Sequence, residues 1–399
     1  MLDMFATLLQ GVAAIEWQPA VMWVIGGLLI FLAIKKDMEP TLLLPMGFGA
    51  ILVNLPFTGV INRYYDAAGN LLPTSQGKEL FEAGAEGVTC VEGIIDELFN
   101  MGIANELFPL VLFIGIGAMI DFEPLLKNPK LMLFGAAAQF GIFFTMCMAS
   151  LFGFDLHDAA SVGIIGAADG PTAIYVSQIL ESKYVGAIMV AAYSYMALVP
   201  LVQPPIIRLC TTKKERLIRM DNGGGKPVSK TTKILFPVVV TMLVGLVAPD
   251  AVALIGFLMF GNLIRECGVL NSLSETAQKV LANLVTIFLG LTIASRMTAA
   301  DFLRGETLLI MGLGLVAFIF DTFAGVMLAK LMNLFSKKKI NPMIGASGIS
   351  AFPMSARVVH KMGLQEDPQN FLLMHSIGVN VSGQIASVIA GGLILAFVR

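Results

Sequence analysis

Long apolar segments, separated by short polar ones, run along nearly the whole chain. Several of them approach the roughly 20 residues that a helix needs to cross a membrane. The pattern predicts ten membrane spans: 19–34, 41–61, 107–120, 131–154, 184–202, 234–248, 251–264, 281–295, 307–329 and 370–398. Residues 62–105 are polar and rich in turn formers, which predicts an external insertion ending in an interfacial helix, 91–103.

One apolar segment, 159–181, contains an acidic residue in the run Gly166-Ala167-Ala168-Asp169-Gly170-Pro171-Thr172. A charge in hydrocarbon is costly unless something partners it. Pro171 removes a backbone donor and the neighbouring glycines permit unusual backbone angles, so we expect the helix to open beside Asp169. Carboxylate, hydroxyl and carbonyl oxygens together suit a hard cation such as sodium. The alternative is a structural carboxylate that only accepts hydrogen bonds from helix amides.

A second stretch repeats this design in the run Ile344-Gly345-Ala346-Ser347-Gly348-Ile349-Ser350-Ala351-Phe352-Pro353. We predict that both stretches are re-entrant hairpins, 159–181 and 340–362, which together form one site. The argument rests on charge, because Lys and Arg are enriched in cytoplasmic loops. If segment 159–181 crossed the membrane completely, the basic linker 207–233 would lie outside the cell. The linker lies in the cytoplasm if this segment instead enters and leaves the membrane from the outside. Its basic residues are Arg208, Lys213, Lys214, Arg216, Arg219, Lys226, Lys230 and Lys233. The Gly223-Gly224-Gly225 run predicts that this linker is flexible.

The two halves of the chain resemble each other. Phe113-Ile114-Gly115 reappears as Phe288-Leu289-Gly290, and Ile165-Gly166-Ala167-Ala168 reappears as Ile344-Gly345-Ala346-Ser347. The first half is predicted to start outside and the second inside, which indicates two inverted repeats, 1–206 and 234–399, joined by the linker. In such an arrangement two opposed hairpins meet near the middle of the membrane and form a site for alternating access.

Composition agrees with a polytopic, all-α membrane protein. Hydrophobic residues make up 56% of the 399 and charged residues only 14%, whereas about a quarter of the residues in soluble domains are charged. The sequence has no phosphate-binding loop, dinucleotide fingerprint or nucleophile–base set, and nothing in it points to nucleic acid. Its four cysteines have no CxxC spacing and its three histidines do not cluster, so neither disulfides nor a metal site built on them is predicted. Residues 1–15 lack the basic start of a cleavable signal.

Four further polar positions are candidates for the ion site. Asn380, in a polar interruption of an uncharged span, offers an amide oxygen, although hydrogen bonding between helices explains it as well. Asn341 and Ser350 flank the second opening, where each is as readily a cap or turn residue. Tyr195 is explained equally by a packed ring with a satisfied hydroxyl.

Two charged side chains also stand out. Arg357 lies seven residues after Ser350, and its planar guanidinium suits a carboxylate. The competing explanation is an interfacial anchor that keeps its charge in water. Asp321 interrupts the span 307–329 and is a second acid inside the membrane, for which the sequence indicates no partner.

Four ordered motifs carry a family resemblance. They are Gly-Ala-Ala-Asp-Gly-Pro-Thr-Ala-Ile (166–174), Ala-Tyr-Ser-Tyr-Met-Ala-Leu-Val-Pro (192–200), Ser-Ala-Phe-Pro-Met-Ser-Ala-Arg (350–357) and Asn-Val-Ser-Gly-Gln-Ile (380–385). The chain resembles the β subunits of the biotin-dependent, sodium-pumping decarboxylases, which include the oxaloacetate, methylmalonyl-CoA and glutaconyl-CoA enzymes. The insertion between Asn62 and about Leu98 and the intramembrane Asp321 are not parts of that pattern.

The resemblance implies an elevator-type protein that assembles as a homotrimer in the bacterial cytoplasmic (inner) membrane. Its subunit would decarboxylate carboxybiotin and use the free energy to export Na+. The resemblance also implies three partners: a biotin carrier subunit, a carboxyltransferase subunit, and a small membrane subunit of γ or δ type.

The resemblance assigns a role to each candidate residue. Asp169, Arg357 and Tyr195 would be catalytic, and Arg357 and Ser350 would meet the carboxybiotin. The sodium site would consist of Asp169, Asn341, Asn380, Ser350, Tyr195 and Gly345.

Two other functions are compatible with the same residues. A sodium-coupled secondary transporter of a small carboxylate would use the same ion site and inverted repeats without any biotin, because a fold does not fix a function. A purely structural membrane anchor would leave Asp169 replaceable without any effect on sodium flux.

Overall fold

The computed structural model describes residues 15, 17–36, 38–72, 74–220 and 227–398, and these residues are mostly helical. The α-helices are, in order, α1 Trp17–Lys36, α2 Pro40–Val53, α3 Thr74–Glu82, α4 Ile94–Gly102, α5 Leu107–Met119, α6 Glu123–Lys127, α7 Met132–Ala137, α8 Phe140–Leu151, α9 Leu156–Gly163, α10 Gly170–Ile179, α11 Val185–Cys210, α12 Lys213–Arg216, α13 Lys230–Val247, α14 Val252–Cys267, α15 Asn271–Glu275, α16 Ala282–Ile293, α17 Ala299–Phe302, α18 Gly305–Phe335, α19 Met354–Glu366 and α20 Leu373–Val398. Short 3-10 helices occupy Pro129–Leu131, Ile164–Ala167, Pro249–Ala251, Ala294–Arg296 and Pro342–Gly348, and a π-helix occupies Thr276–Leu281.

Several helices are long and apolar enough to cross a membrane. Within the described residues seven pass this test, and the bent pair α4 and α5, with an angle of 64° between them, would make an eighth. The seven are Trp17–Lys36, Pro129–Leu151, Val185–Cys210, Lys230–Val247, Asn271–Arg296, Gly305–Phe335 and Leu373–Val398. A polytopic membrane protein is therefore confirmed. The figure of ten spans stays a prediction, because segments such as Pro40–Val53 are short of a full crossing.

The described chain divides into two compact units. One takes in the described part of Met1–Phe108 together with Leu284–Leu309, and the other takes in the described parts of Pro109–Asn283 and of Ile310–Arg399. The predicted repeats, 1–206 and 234–399, follow a different criterion, internal similarity, and stay a prediction. The Gly223–Gly225 run of the predicted linker lies outside the described residues.

The first unit contains the predicted insertion, which is more ordered than an external loop. Three short antiparallel strands, β1 Arg63–Tyr65, β2 Leu71–Leu72 and β3 Thr89–Val91, form a sheet in the order β2-β1-β3. The side chain of Asn62 accepts a hydrogen bond from the Gly93 amide at 2.8 Å, which ties the sheet to the start of α4. The sequence did not predict these strands, and the external position of the insertion stays a prediction. The helix predicted over 91–103 begins at Ile94, because Val91 belongs to a strand, and its interfacial position stays a prediction.

The second unit contains both predicted openings. In the first, α9 passes into the 3-10 helix Ile164–Ala167, the chain leaves helical geometry at Ala168 and Asp169, and α10 begins at Gly170. In the second, the 3-10 helix Pro342–Gly348 is followed by non-helical backbone and then by α19. Both interruptions were predicted from the glycines and prolines. That each is a re-entrant hairpin stays a prediction.

Helix α18 contacts both openings with one face. Its Gly314 lies against Ile165 and its Asp321 against Gly166, both in the first 3-10 helix, while its Gly325 lies against Gly345 in the second. Positions 314, 321 and 325 are spaced by seven and four residues, which places them on the same side of a helix. The small residues allow backbones to approach closely.

Candidate functional site

Asp169 lies where the first helix is open. Ala168 takes the left-handed conformation, with φ of 52°, and this turn directs the chain into α10 with Asp169 as the N-cap. The Asp169 carboxylate accepts a hydrogen bond from the Thr172 hydroxyl at 2.8 Å and a longer one from the Thr172 amide at 3.4 Å. Asp169 is only 3% exposed. The helix N-terminus therefore supplies local donors to a carboxylate that is removed from solvent.

Three further donors come from the second opening and from α20. Asp169 Oδ2 accepts hydrogen bonds from Ser350 Oγ at 3.0 Å, Gln384 Nε2 at 3.1 Å and Ser387 Oγ at 2.9 Å. With Thr172 Oγ1, four donors converge on this one oxygen. Among the described residues, the other oxygen, Oδ1, accepts a single hydrogen bond, the 3.4 Å one from the Thr172 amide. The network thus fixes the carboxylate and leaves one oxygen with capacity for a cation.

The two openings are also joined by their backbones. The Ser350 amide donates to the carbonyl oxygen of Ala167 at 3.0 Å. Beside this contact, Asn380 Nδ2 donates to the Ile349 carbonyl at 2.7 Å, and Asn380 Oδ1 has no hydrogen-bond partner among the described residues. Asn380 is fully buried, so this oxygen is an unused acceptor next to the carboxylate network. The structure therefore brings Asp169 and Ser350 into contact and places Asn380 beside them.

Within the part of the chain that the structure describes, the remaining sequence candidates do not form hydrogen bonds with Asp169. The Asn341 side chain caps the second 3-10 helix at Met343 N, and its Nδ2 donates to the carbonyls of Arg216 and Ile218 at 2.8 and 2.9 Å. Tyr195 donates its hydroxyl to the Met311 carbonyl. Both side chains have their polar atoms occupied by protein. Gly345 acts through close packing on Gly325 and not through a side chain.

Arg357 is exposed in the first turns of α19, and its guanidinium has no partner among the described residues. It lies seven residues beyond Ser350, whose hydroxyl contacts Asp169. An exposed, unpaired fork of N–H donors suits an anionic group that arrives from another molecule.

Asp321 has the partner that the sequence did not reveal. It is fully buried, its Oδ1 accepts a hydrogen bond from the Gly141 amide at the start of α8, and its Oδ2 has no partner among the described residues. A β-carbon placed on Gly166 would lie 2.7 Å from that Oδ2. Asp321 therefore caps one interrupted helix and packs against the 3-10 turn that precedes Asp169.

Three donors to Asp169 were not predicted as donors, namely Thr172, Gln384 and Ser387, although the Thr172 hydroxyl had been counted among the oxygens of the first opening. Thr172 follows the acid by three residues, which is the N-cap spacing, and this signal was available. Gln384 and Ser387 lie four and seven residues after Asn380, hence on the same face of α20. The polar interruption around Asn380 pointed to that face without saying which side chains reach the acid.

Comparison with known proteins identifies the family of the chain. Residues 18–398 match the family described as the Na+-transporting oxaloacetate decarboxylase beta subunit. The chain is 48% identical over 414 residues to the oxaloacetate decarboxylase beta chain of Klebsiella pneumoniae, covering 95% of each chain. It is 49% identical over 377 residues to the methylmalonyl-CoA decarboxylase subunit beta of Propionigenium modestum, covering 94% of each. It is 45% identical over 389 residues to the glutaconyl-CoA decarboxylase subunit beta of Acidaminococcus fermentans, covering 98% of this chain and 96% of the relative.

Proposed function

The chain belongs to the family of beta subunits of the Na+-transporting, biotin-dependent decarboxylases, and from this premise we propose how its residues couple CO2 release to sodium export. Members of this family are the membrane subunits that act in carboxybiotin decarboxylation coupled to Na+ transport. The comparisons favour this function over a secondary transporter. The three relatives named above bear the names of different acyl substrates yet match this chain about equally, which fits a membrane subunit that handles only the shared carboxybiotin.

We propose that Na+ binds at Oδ1 of Asp169, with Asn380 Oδ1, the Ser350 hydroxyl and opened backbone carbonyls as neutral oxygen ligands. The observation that carries this proposal is that four donors converge on Oδ2, whereas Oδ1 accepts one long bond from the Thr172 amide. Asn380 Oδ1 has no hydrogen-bond partner among the described residues and is a second available acceptor. Neutral oxygens and one carboxylate are the ligands that a hard cation prefers. A bound sodium ion would also neutralise the buried carboxylate, which lowers the free energy of moving the site through the membrane.

We propose that Asn341, Tyr195 and Gly345 support this site and do not bind the ion in the described conformation. Asn341 fastens the start of the second opening to residues 216–218, and Gly345 allows that opening to lie against α18. Tyr195 is held by α18 through its hydroxyl and ring. Each would affect sodium binding by moving the backbone around Ser350 or Ile165.

We propose that Arg357 receives the carboxylate of carboxybiotin, which a biotin carrier subunit presents. This group supplies a carbon–nitrogen bond whose cleavage releases CO2 and leaves an electron pair that takes up one proton. Arg357 would hold the carboxylate through its guanidinium fork until that step. The segment from Ser350 to Arg357 joins this position to the Asp169 network, so departure of the anion and a change at the ion site can be linked through a few residues.

The wider assembly belongs to the same proposal. Two inverted repeats, ten spans and an elevator-type movement would carry the site across the cytoplasmic (inner) membrane of a bacterium. A carboxyltransferase subunit, a biotin carrier and a small membrane subunit would complete the complex, with this chain as a homotrimer. The names of the relatives support multisubunit decarboxylases of this kind.

The test uses the reconstituted complex and two variants. Asp169→Asn should abolish sodium-dependent decarboxylation of carboxybiotin while the partner's carboxyl transfer continues. Arg357→Lys, which keeps the charge and loses the fork, should raise the KM for the carboxybiotin carrier, whereas Arg208→Lys, another exposed arginine, should not. Sodium pumping by the Asp169→Asn complex would refute the ion site. Sodium-coupled solute uptake by the purified chain alone, without biotin, would favour the transporter.

A further inference from the structure

A separate cavity of about 560 Å³ lies beside the carboxyl end of α18, away from the Asp169 network. Its charged lining residues are Lys214, Glu215, Lys330 and Lys339, and its apolar walls include Leu331 and Leu334. Three lysines face one glutamate, so the charges lining the cavity sum to two positive. None of these residues takes part in the proposed decarboxylation.

The positive charge of the cavity is only partly compensated by protein. Lys330 Nζ lies 3.3 Å from Glu215 and 3.1 Å from the Cys210 carbonyl, and Lys339 donates to the Asn333 carbonyl. Lys214 is exposed and has no partner among the described residues. An anion bound here would therefore meet a lysine that no described side chain neutralises.

An apolar stripe leads along α18 to this cavity. Phe323, Met327, Leu331 and Leu334 are 41, 39, 52 and 74% exposed and are spaced by four, four and three residues, hence on one face. In a helix that spans a membrane, such an exposed face contacts lipid. The 31 residues of α18 are about 46 Å long at 1.5 Å per residue, which exceeds the roughly 30 Å hydrocarbon core. The lysine-lined end therefore lies at the level of the lipid headgroups.

We propose that this cavity binds the headgroup of an anionic phospholipid, with its acyl chains lying along the apolar stripe. Charge complementarity favours an anionic over a zwitterionic headgroup, and basic pockets beside cytoplasmic helix ends are suited to such lipids. The stripe distinguishes this occupant from a free phosphate ion, which gains nothing from exposed leucines. The site is independent of the sodium and carboxybiotin sites.

Native mass spectrometry of the full chain in detergent, titrated with phosphatidylglycerol or phosphatidylcholine, tests the proposal. The wild type should bind phosphatidylglycerol more tightly than phosphatidylcholine. Lys214→Ala should weaken phosphatidylglycerol binding about fivefold, the effect of one lysine near a charged lipid surface. Leu334→Asn should weaken binding of both lipids. Lys36→Ala removes an exposed lysine at the end of α1 and is the matched control, expected to leave both affinities unchanged.

Three results would overturn the proposal. Equal affinity for the two lipids would exclude recognition of the headgroup. Displacement of phosphatidylglycerol by inorganic phosphate, with no effect of Leu334→Asn, would show a site for small anions. A change in oligomeric state in the Lys214→Ala chain, with unchanged lipid binding, would show that a second copy occupies the cavity. Because Lys214 has no described partner, this variant is expected to fold.

Discussion

Replacing Gly345 or Gly325 by alanine tests whether the second opening must lie directly on α18. A β-carbon on Gly345 would lie 2.1 Å from the Gly325 carbonyl oxygen, and one on Gly325 would lie 2.1 Å from the Gly345 carbonyl oxygen. Ordinary van der Waals contact begins at 3.4 Å, so either methyl group forces the two backbones apart by about 1.3 Å. Neither obstacle is a flexible side chain, so the backbone itself has to move.

The displacement is large compared with the hydrogen bonds of the site. If the second opening moved away as one piece, the 3.0 Å bond from Ser350 to Asp169 would pass the roughly 3.5 Å limit for a hydrogen bond. A misplacement of about 1 Å can reduce the rate of a positioned reaction about a hundredfold. Overpacking of this kind also destabilises a fold by about 1–3 kcal/mol.

The assay measures initial rates of carboxybiotin decarboxylation by the reconstituted complex as a function of sodium concentration. We expect Gly345→Ala and Gly325→Ala to raise the KM for sodium and lower kcat to a similar extent, although the two residues belong to different elements. Gly312→Ala is the matched control on α18, because nothing lies within 4 Å of the position of its β-carbon. A wild-type sodium response in Gly345→Ala would refute the reasoning, as would damage by Gly312→Ala equal to that of Gly325→Ala.

Other expected outcomes concern single side chains. Ser387→Ala removes a donor to Asp169 Oδ2, and a hydrogen bond to a charged group contributes about 1.5–3 kcal/mol, so the KM for sodium should rise about tenfold or more. Ser177→Ala is the control and should leave this KM unchanged, because the Ser177 hydroxyl donates to carbonyls of its own helix, Ala173 and Ile174. Asp321→Asn keeps an acceptor for the Gly141 amide and should unfold near the wild-type temperature. Asp321→Leu removes that acceptor and should be destabilised by about 1–3 kcal/mol, measured by thermal unfolding in detergent. Equal stability of the two variants would contradict a capping role. Outside the membrane, hydrogen bonds from Lys127 and Lys233 lower the pKa of Glu123 from 4.5 to about 2. This stabilisation is complete above pH 4.5 and is lost as pH falls towards 2. Between pH 4.5 and pH 2 the melting temperature of the wild type should therefore decrease more than that of Glu123→Gln.

The two openings could be predicted because their cause is local. A proline and flanking glycines interrupt a helix wherever they stand, so the break at Ala168 and Asp169 was evident from the sequence. Ser350 was identified because it flanks the second opening. Its contact with Asp169 follows from the predicted meeting of two hairpins.

Features that depend on distant residues could not be predicted in this way. The strands of the insertion are two or three residues long, too short for an alternating pattern, and they form because residues 63–65 pair with both 71–72 and 89–91. The partner of Asp321 is a backbone amide 180 residues earlier in the chain, which no spacing rule reveals. Asn341 is a different case, and its assignment to the sodium site stays a prediction. Its position beside an opening suggested a sodium ligand, while its amide is occupied by carbonyls of residues 216 and 218.

The single face of α18 that carries Gly314, Asp321 and Gly325 has a mechanical consequence. Any rearrangement that separates the two openings must also move this helix or break its contact with one of them. Immobilising α18, for example by cross-linking it to a surrounding helix, would then hold the pump in one orientation. Sodium could still exchange with the solution on the side from which it entered. Net transport to the other side of the membrane would cease.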